Sequence, residues 1–286
     1  MTVTRLGLQI PNFTFPGVAD ADLFETIAGI ATTAETAGFD SVWVMDHLYQ
    51  IGMVGPKEDP MLEAYTLLGA LAARTTRVAL GTMVTGVTYR NPALLAKIVT
   101  TLDVISAGRA ILGLGAAWND EEHAGYGYDF PPAGERLDRL EEALQICRAM
   151  FTEAAPSFAG RHYRVENVLN NPRPIRGRIP ILVGGGGEKR TLRLVAQYAD
   201  ACNVFGDADG VRHKLDVLER HCADVGRDPA EITKTTLITA TDVDRTAAQA
   251  TELVKAGIDG LVVNLPDVSD LAKLTRTGQT LSAVLT

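Results

Sequence analysis

Short runs of Val, Ile and Leu alternate along the chain with longer stretches whose apolar residues recur at helical spacing. That is the signature of parallel strands joined by crossover helices. The strand-like runs are Leu6 to Ile10, Ser41 to Met45, Val78 to Val84, Ala110 to Gly115, Ile181 to Gly184, Ala201 to Phe205, Thr233 to Thr239 and Gly260 to Leu265. Helical periodicity follows each, near 20 to 37, 61 to 74, 92 to 106, 134 to 152, 188 to 198, 209 to 225, 245 to 256 and 267 to 275. Eight such units predict an α/β fold, a single (β/α)8 TIM barrel over residues 1–286, with an open doubly wound sheet as the alternative. Val-Trp-Val-Met at 42 to 45 and Leu-Val-Val-Asn at 261 to 264 are apolar on both faces, as strands packed inside and covered by helices outside must be.

Helix boundaries carry their own signals. Asn91 then Pro92 reads as a cap and first helical residue, and Gly38, Gly108, Gly226 and Gly257 follow helix ends. Two segments break the rhythm. Ser157 to Arg178 reads as a hairpin and loop before the fifth strand, and Asn119 to Pro132 as a long loop after the fourth. Long loops in compact domains usually carry function. Specificity is therefore expected from loops 48 to 60, 119 to 132 and 157 to 178, where Tyr49, Met53, Tyr126, Tyr128, Phe130 and Phe158 suit either a pocket wall or the core.

Composition narrows the class. Hydrophobic residues make up 46% and charged residues 22% of the 286, and no run approaches the roughly 18 apolar residues of a membrane span. Met1 to Pro11 lacks the apolar core of a signal peptide, which predicts a cytoplasmic protein. With 27 basic and 35 acidic side chains the net charge is −8. No basic run could track a phosphate backbone, so nucleic acid is not an expected partner. Cys147, Cys202 and Cys222 form no metal-ligand spacing and read as reduced thiols. Cys147 shares a helical apolar face with Leu140, Leu144 and Met150.

In such a barrel the chemistry sits at the carboxyl ends of the strands. The second strand ends Met45-Asp46-His47, a carboxylate and an imidazole side by side; a loop cap and a surface histidine are the plainer reading. Small residues fill Leu80-Gly81-Thr82-Met83-Val84-Thr85-Gly86 and Gly115-Ala116-Ala117-Trp118-Asn119, leaving room either for a flat ligand or for a packing bulge. The sharpest signal is Gly184-Gly185-Gly186-Gly187-Glu188-Lys189-Arg190-Thr191, a glycine run leaving a strand and opening a helix. Free N–H groups, a positive helix end and local basic side chains make a phosphate cradle. Lys189 stands where a dinucleotide fingerprint needs Gly, and no G-K-[ST] follows, so a singly phosphorylated cofactor without an adenine half fits best.

Asp46-His47, the 80–86 segment with Tyr89-Arg90-Asn91-Pro92, Gly113-Leu114-Gly115-Ala116-Ala117-Trp118-Asn119 and the Gly184 to Thr191 run together resemble the luciferase-like flavin barrels. Within them the chain resembles actinobacterial oxidoreductases that use the deazaflavin coenzyme F420. The opening Gly-Leu-Gln-Ile-Pro-Asn-Phe resembles a mycobacterial group. The resemblance implies a barrel binding F420, or FMN, at its mouth, with phosphate at the loop after the fifth strand and a non-proline cis peptide at Met83-Val84. It implies Asp46, His47, Thr82, Met83, Val84, Gly115, Ala116, Asn119, Gly184, Gly185, Gly186, Gly187, Arg190 and Thr191 as cofactor contacts, with His47 and Asp46 catalytic and no metal.

The implied reaction is hydride transfer between F420 and a small organic substrate; an FMN-dependent monooxygenase served by a partner reductase is the alternative. Lys189, Arg190 and Arg90 near the mouth suit the acidic tail of F420. A binding protein without turnover would need a pocket lacking a working acid, and an isomerase or aldolase barrel would need a strand-end lysine that is missing here. Sugar-phosphate dehydrogenases of the family place a catalytic Glu where this chain has Ala117-Trp118, which argues against glucose 6-phosphate. Family members commonly pair through outer helices, and Leu67, Leu68, Ala70 and Leu71 on the second helix are the expected homodimer face.

Overall fold

A computed structural model describes residues 3–285. Its strands, in chain order, are β1 (Leu6–Ile10), β2 (Ser41–Val44), β3 (Ala79–Thr82), β4 (Thr85–Gly86), β5 (Ala110–Gly115), β6 (Phe158–Ala159), β7 (Arg164–Val165), β8 (Ile181–Gly184), β9 (Ala201–Asn203), β10 (Thr233–Thr239) and β11 (Gly260–Asn264). The helices are α1 (Leu23–Thr36), α2 (Ala64–Arg74), α3 (Pro92–Ile105), α4 (Asp120–Tyr126), α5 (Ala133–Thr152), α6 (Thr191–Tyr198), α7 (Ala208–Val225), α8 (Val243–Lys255) and α9 (Leu271–Val284).

All strands but β6 and β7 pair in parallel, in the order β3-β2-β1-β11-β10-β9-β8-β5-β4. Leu80 opposite Ala110 and Gly81 opposite Ile111 join β3 to β5 and close the ring. The short β4 continues the third strand, so the barrel has the eight strands that the apolar runs predict. Period-two alternation divides each strand between two environments. Trp43, Ile111, Leu182, Ala201 and Val262 fill the barrel axis, while Val42, Val44, Leu112, Val183, Leu261 and Val263 face the helices.

Caps fall where the sequence signals put them. The Asn91 side chain accepts from the Ala93 N–H with Pro92 as the first helical residue, and Gly38, Gly108, Gly226 and Gly257 all take positive φ after helix ends. β6 and β7 form the hairpin inserted before the fifth barrel strand.

Four expectations change. The third strand, expected unbroken from Val78 to Val84, divides into β3 and β4 at Met83-Val84, which is the cis peptide that the resemblance implies. The loop after β5 carries α4, because Asn119 caps it and Asp120, Glu121 and Glu122 occupy its first turn. These anions favour a helix N-terminus. The glycine run keeps α6 from starting before Thr191, since fixing successive glycines loses the most backbone entropy. The last helix runs on to Val284, where buried Leu274, Thr277, Gly278 and Leu281 continue a face that the polar residues between them obscure. The expected dimer face is a further correction: Leu67, Leu68 and Leu71 are buried in the core. No described helix is long and apolar enough to cross a membrane.

Candidate active site

The mouth is built where β2, the β3–β4 bulge, β5 and β8 end. Two carboxylates organise one side. Asp46, directly after β2, is almost fully buried, and both its oxygens accept from Arg90, at 2.6 and 3.0 Å. Arg90 donates a third bond to Glu63 at 2.6 Å, the residue that caps α2, and its guanidinium lies 4.9 Å from the Tyr65 ring centroid. Burial pushes the Asp46 carboxyl above its ordinary range against the pull of Arg90. Asp46 keeps Arg90 firmly protonated despite burial. Thus Asp46 and Arg90, both expected near the cofactor, are committed first to each other.

Glu122 is the second organiser. Its side chain is 0% exposed, and it accepts from the Leu48 N–H at 2.6 Å, the Tyr49 N–H at 2.9 Å and the Tyr89 hydroxyl at 2.7 Å. His47 Nδ1 lies 2.8 Å from Oε2, the oxygen that also accepts from Tyr89, while Oε1 takes both backbone N–H groups. A carboxylate at a site crowded with donors can only accept, so Nδ1 carries the hydrogen and Nε2 is left to face the mouth. His47 Nε2 makes no hydrogen bond among the described residues. Trp118 meets the His47 ring edge-on at 5.4 Å.

Burial alone would raise the Glu122 carboxyl, but bonds from His47, the Tyr49 N–H and Tyr89 outweigh it and hold the group below its ordinary range. Such a carboxylate stabilises the fold above its unfolded pKa of about 4.3, and the contribution disappears as pH falls through its lower folded value. Glu122→Gln turns an NH₂ toward existing donors and is expected to lower unfolding stability by about 2 kcal/mol near neutral pH. Urea denaturation curves of parent and variant should converge below about pH 4; a gap unchanged by acid would show that the carboxylate charge is not what holds the site.

The glycines of the mouth answer mainly to packing. A Cβ at Gly115 would lie 2.8 Å from one Val84 methyl, and one at Gly184 2.9 Å from that same methyl and 3.0 Å from the other. Val84, half-buried, therefore sits in the gap between β5 and β8 and narrows it. Thr82 is fully buried, bonded to the Gly113 carbonyl at 3.2 Å and linked through Thr85 to Tyr65, so it builds the wall. The Met83 carbonyl accepts from Gln9 at 3.4 Å, the Ala116 carbonyl from Arg136 at 3.0 Å. Asn119 caps α4 and its carbonyl meets His123 at 2.6 Å.

The glycine run after β8 divides by role. The Gly185 N–H is taken by the Asn203 carbonyl at 3.1 Å, whereas those of Gly186 and Gly187 have no partner among the described residues. Thr191 is buried beside Gly187. Arg190 turns away to the Gly134 carbonyl and Asp138. The cation over the run is instead Lys214 of α7, so close that a Cβ at Gly186 would collide with its Nζ. Lys214 makes no hydrogen bond or ion pair among the described residues, and His213 and His221 tie α7 to Glu188. Two free N–H groups, a hydroxyl and an ammonium fit a phosphate.

Glu122 and Lys214 were the residues that sequence reasoning passed over. Asn119 followed by three acids is a helix-start signal that would have placed Glu122 on an ordered element. Nothing in the chain pattern links Lys214 to a loop nearly thirty residues earlier; only the barrel closure does.

A (β/α)8 barrel with a histidine–carboxylate pair and unpartnered N–H groups beneath an ammonium at its mouth narrows the class, and comparisons give the family. Residues 4–282 match the luciferase-like monooxygenase family. The chain belongs to that family, whose enzymes are flavin- or deazaflavin-dependent oxidoreductases and monooxygenases. It is 28% identical over 257 residues to an uncharacterised protein of Mycobacterium tuberculosis, covering 85% of this chain and 88% of that one. It is 29% identical to the pyrimidine monooxygenase RutA of Allorhizobium ampelinum, across 90% of this chain and 72% of that one. An F420-dependent glucose-6-phosphate dehydrogenase of Kineococcus radiotolerans is 37% identical, but only over 56% of this chain and 47% of its own length. In fold it is similar to an F420-dependent secondary alcohol dehydrogenase, with a TM-score of 0.83 at 19% identity over the whole of both chains.

Proposed function

We propose that this enzyme is a coenzyme F420-dependent oxidoreductase that exchanges a hydride between the deazaflavin and a small organic substrate. The observation that carries the reading is the unpartnered set at the head of α6: the Gly186 and Gly187 N–H groups with the Lys214 ammonium. Thr191 completes the phosphate contacts. Lys189, exposed beside them, suits an acidic tail beyond the phosphate, which FMN lacks. Met83, Val84, Gly115 and Ala116 form the wall on the cofactor side, backed by Thr82.

When bound, the deazaflavin supplies or accepts the hydride. With Nδ1–H held by Glu122, it is the cationic imidazole of His47 that donates a proton, or a hydrogen bond, from Nε2 to the oxygen or nitrogen where charge develops. Glu122 fixes the imidazole tautomer and stabilises its cationic form. Asp46 and Arg90 hold the end of β2 in place beneath His47.

The FMN monooxygenase reading draws on the match to RutA over 90% of this chain, and one titration separates the two. F420 fluorescence is expected to report binding at least tenfold tighter than FMN. Lys214→Ala and Gly186→Val should each weaken F420 by about 10- to 100-fold, the worth of a hydrogen bond to a charged group. Tighter binding of FMN would favour the monooxygenase. F420 affinity within twofold of the parent in both variants would move the phosphate elsewhere.

A further inference from the structure

The segment 50–57 and residues 118–121 line an open pocket of about 670 Å³. That volume is in the range of small-molecule sites, roughly 300–1,000 Å³. Trp118 joins it to the chemistry, because the same indole lines the cavity and touches the His47 ring. Trp118 is 55% exposed, so part of its indole is open to a ligand in the pocket. Outside this lining, Tyr49, Tyr126 and Tyr128 form an aromatic row of their own, with centroids 5.5 Å apart for the first pair and 6.1 Å for the second, and Met53 is exposed. Phe130 and Phe158 do not take part: Phe130 packs under Arg136 and Phe158 joins the core.

The charges point the same way. Lys57 is the cation of the cavity, and Glu121 neutralises it at 2.6 Å. Asp120 lines the same space with no ion pair or hydrogen bond among the described residues, and Glu58 and Asp59 adjoin Lys57. Arg90 is held by Asp46 and Glu63. The mouth is thus polar along its length, with an uncommitted ammonium at the cradle and surplus carboxylate around Trp118. An anionic group entering this cavity would find no free counter-charge and would be repelled.

Resting on the F420 reading above, we propose that the substrate is a planar, largely apolar molecule without negative charge, bound against Trp118 with its reacting polar group presented to His47. A phosphorylated sugar, the substrate in the name of the Kineococcus relative, is excluded from this site by both surface and charge.

Intrinsic fluorescence tests the proposal on the full-length enzyme, with no turnover required. The chain has two tryptophans; Trp43 is sealed in the barrel axis and Trp118 is open, so a quencher reaching the mouth reports on Trp118. The probes are 1,4-naphthoquinone, its 2-sulfonate and glucose 6-phosphate; all three cysteines are buried and shielded from the quinones. Saturable quenching by 1,4-naphthoquinone is expected, with the sulfonate at least tenfold weaker and glucose 6-phosphate silent. In Asp120→Lys the sulfonate penalty should shrink to threefold or less. By calorimetry Trp118→Ala should weaken the quinone at least tenfold and Trp118→Phe no more than threefold.

Equal affinity for quinone and sulfonate, non-saturating quenching, or calorimetric binding of glucose 6-phosphate in preference to the quinone would each overturn the substrate class. The titrations are run with and without F420. Cofactor binding intact but quinone selectivity absent sinks this inference alone, while selectivity intact without F420 binding sinks the cofactor reading and leaves the cavity's preference standing.

Discussion

Replacing Arg90 with methionine is expected to destabilise the enzyme by about 3–5 kcal/mol, the cost of removing one partner from a buried ion pair. Asp46 is 1% exposed at its side chain and Arg90 13%, so water cannot take the place of the guanidinium. Two bonds to Asp46 and one to Glu63 disappear together, as does the packing over Tyr65. Burial already pushes the Asp46 carboxyl up, and without Arg90 only the weaker pull of His47 opposes it. An acid whose folded pKa rises loses stability as pH climbs from its unfolded value toward the folded one. Urea denaturation should therefore show the deficit of Arg90→Met narrowing as pH falls and Asp46, its carboxyl raised above the ordinary range, becomes protonated.

The double variant Arg90→Met with Asp46→Asn separates charge from packing. Removing both charges takes away the uncompensated carboxylate, so most of the lost stability should return. A single-variant loss under about 1 kcal/mol, or a double variant no better than the single, would mean that the pair does not organise the mouth.

The architecture was legible because it depends on properties repeated along the chain. Eight apolar runs and the helices between them give the barrel wherever their exact ends fall, and the cap at Asn91-Pro92 is local chemistry that needs no tertiary context. Asp46, His47 and the glycine run were legible for a similar reason: strand ends in a barrel converge, so polar or flexible residues there stand out. What the sequence could not show was which groups each side chain would meet. Arg90 and Arg190 both read as cations for an acidic ligand, but one is spent on Asp46 and the other on Asp138. Gly115 reads equally as room for a ring or as packing and Gly184 as part of a phosphate cradle, but the side chain of Val84 packs against both. Lys214 reaches Gly186 only because α6 and α7 pack side by side. Contacts of this kind arise from closure of the ring and have no local signature.

His47→Ala is expected to lower turnover by about 10²- to 10⁴-fold, the range for removal of a positioned proton-transfer group. The geometry sets this effect apart from a binding effect. Nδ1 is bound to Glu122 at 2.8 Å, and the imidazole is held by that bond and the edge of Trp118, leaving Nε2 free to serve the reacting atoms. The proposed phosphate contacts lie on the glycine run and Lys214, outside the His47–Glu122 pair. F420 affinity in His47→Ala should therefore remain within about threefold of the parent, less than a single charged hydrogen bond is worth. Glu122→Gln should reduce turnover by a smaller factor, because the imidazole stays but its tautomer and its cationic form lose support. The two act through one proton path, so the double variant should be scarcely slower than His47→Ala alone. The measurement is transfer of hydride from reduced F420 to 1,4-naphthoquinone, followed by return of the oxidised deazaflavin absorbance at saturating cofactor. Parallel losses in turnover and F420 affinity would make His47 a cofactor ligand, additive losses in the double variant would uncouple it from Glu122, and an unchanged rate would remove it from the reaction.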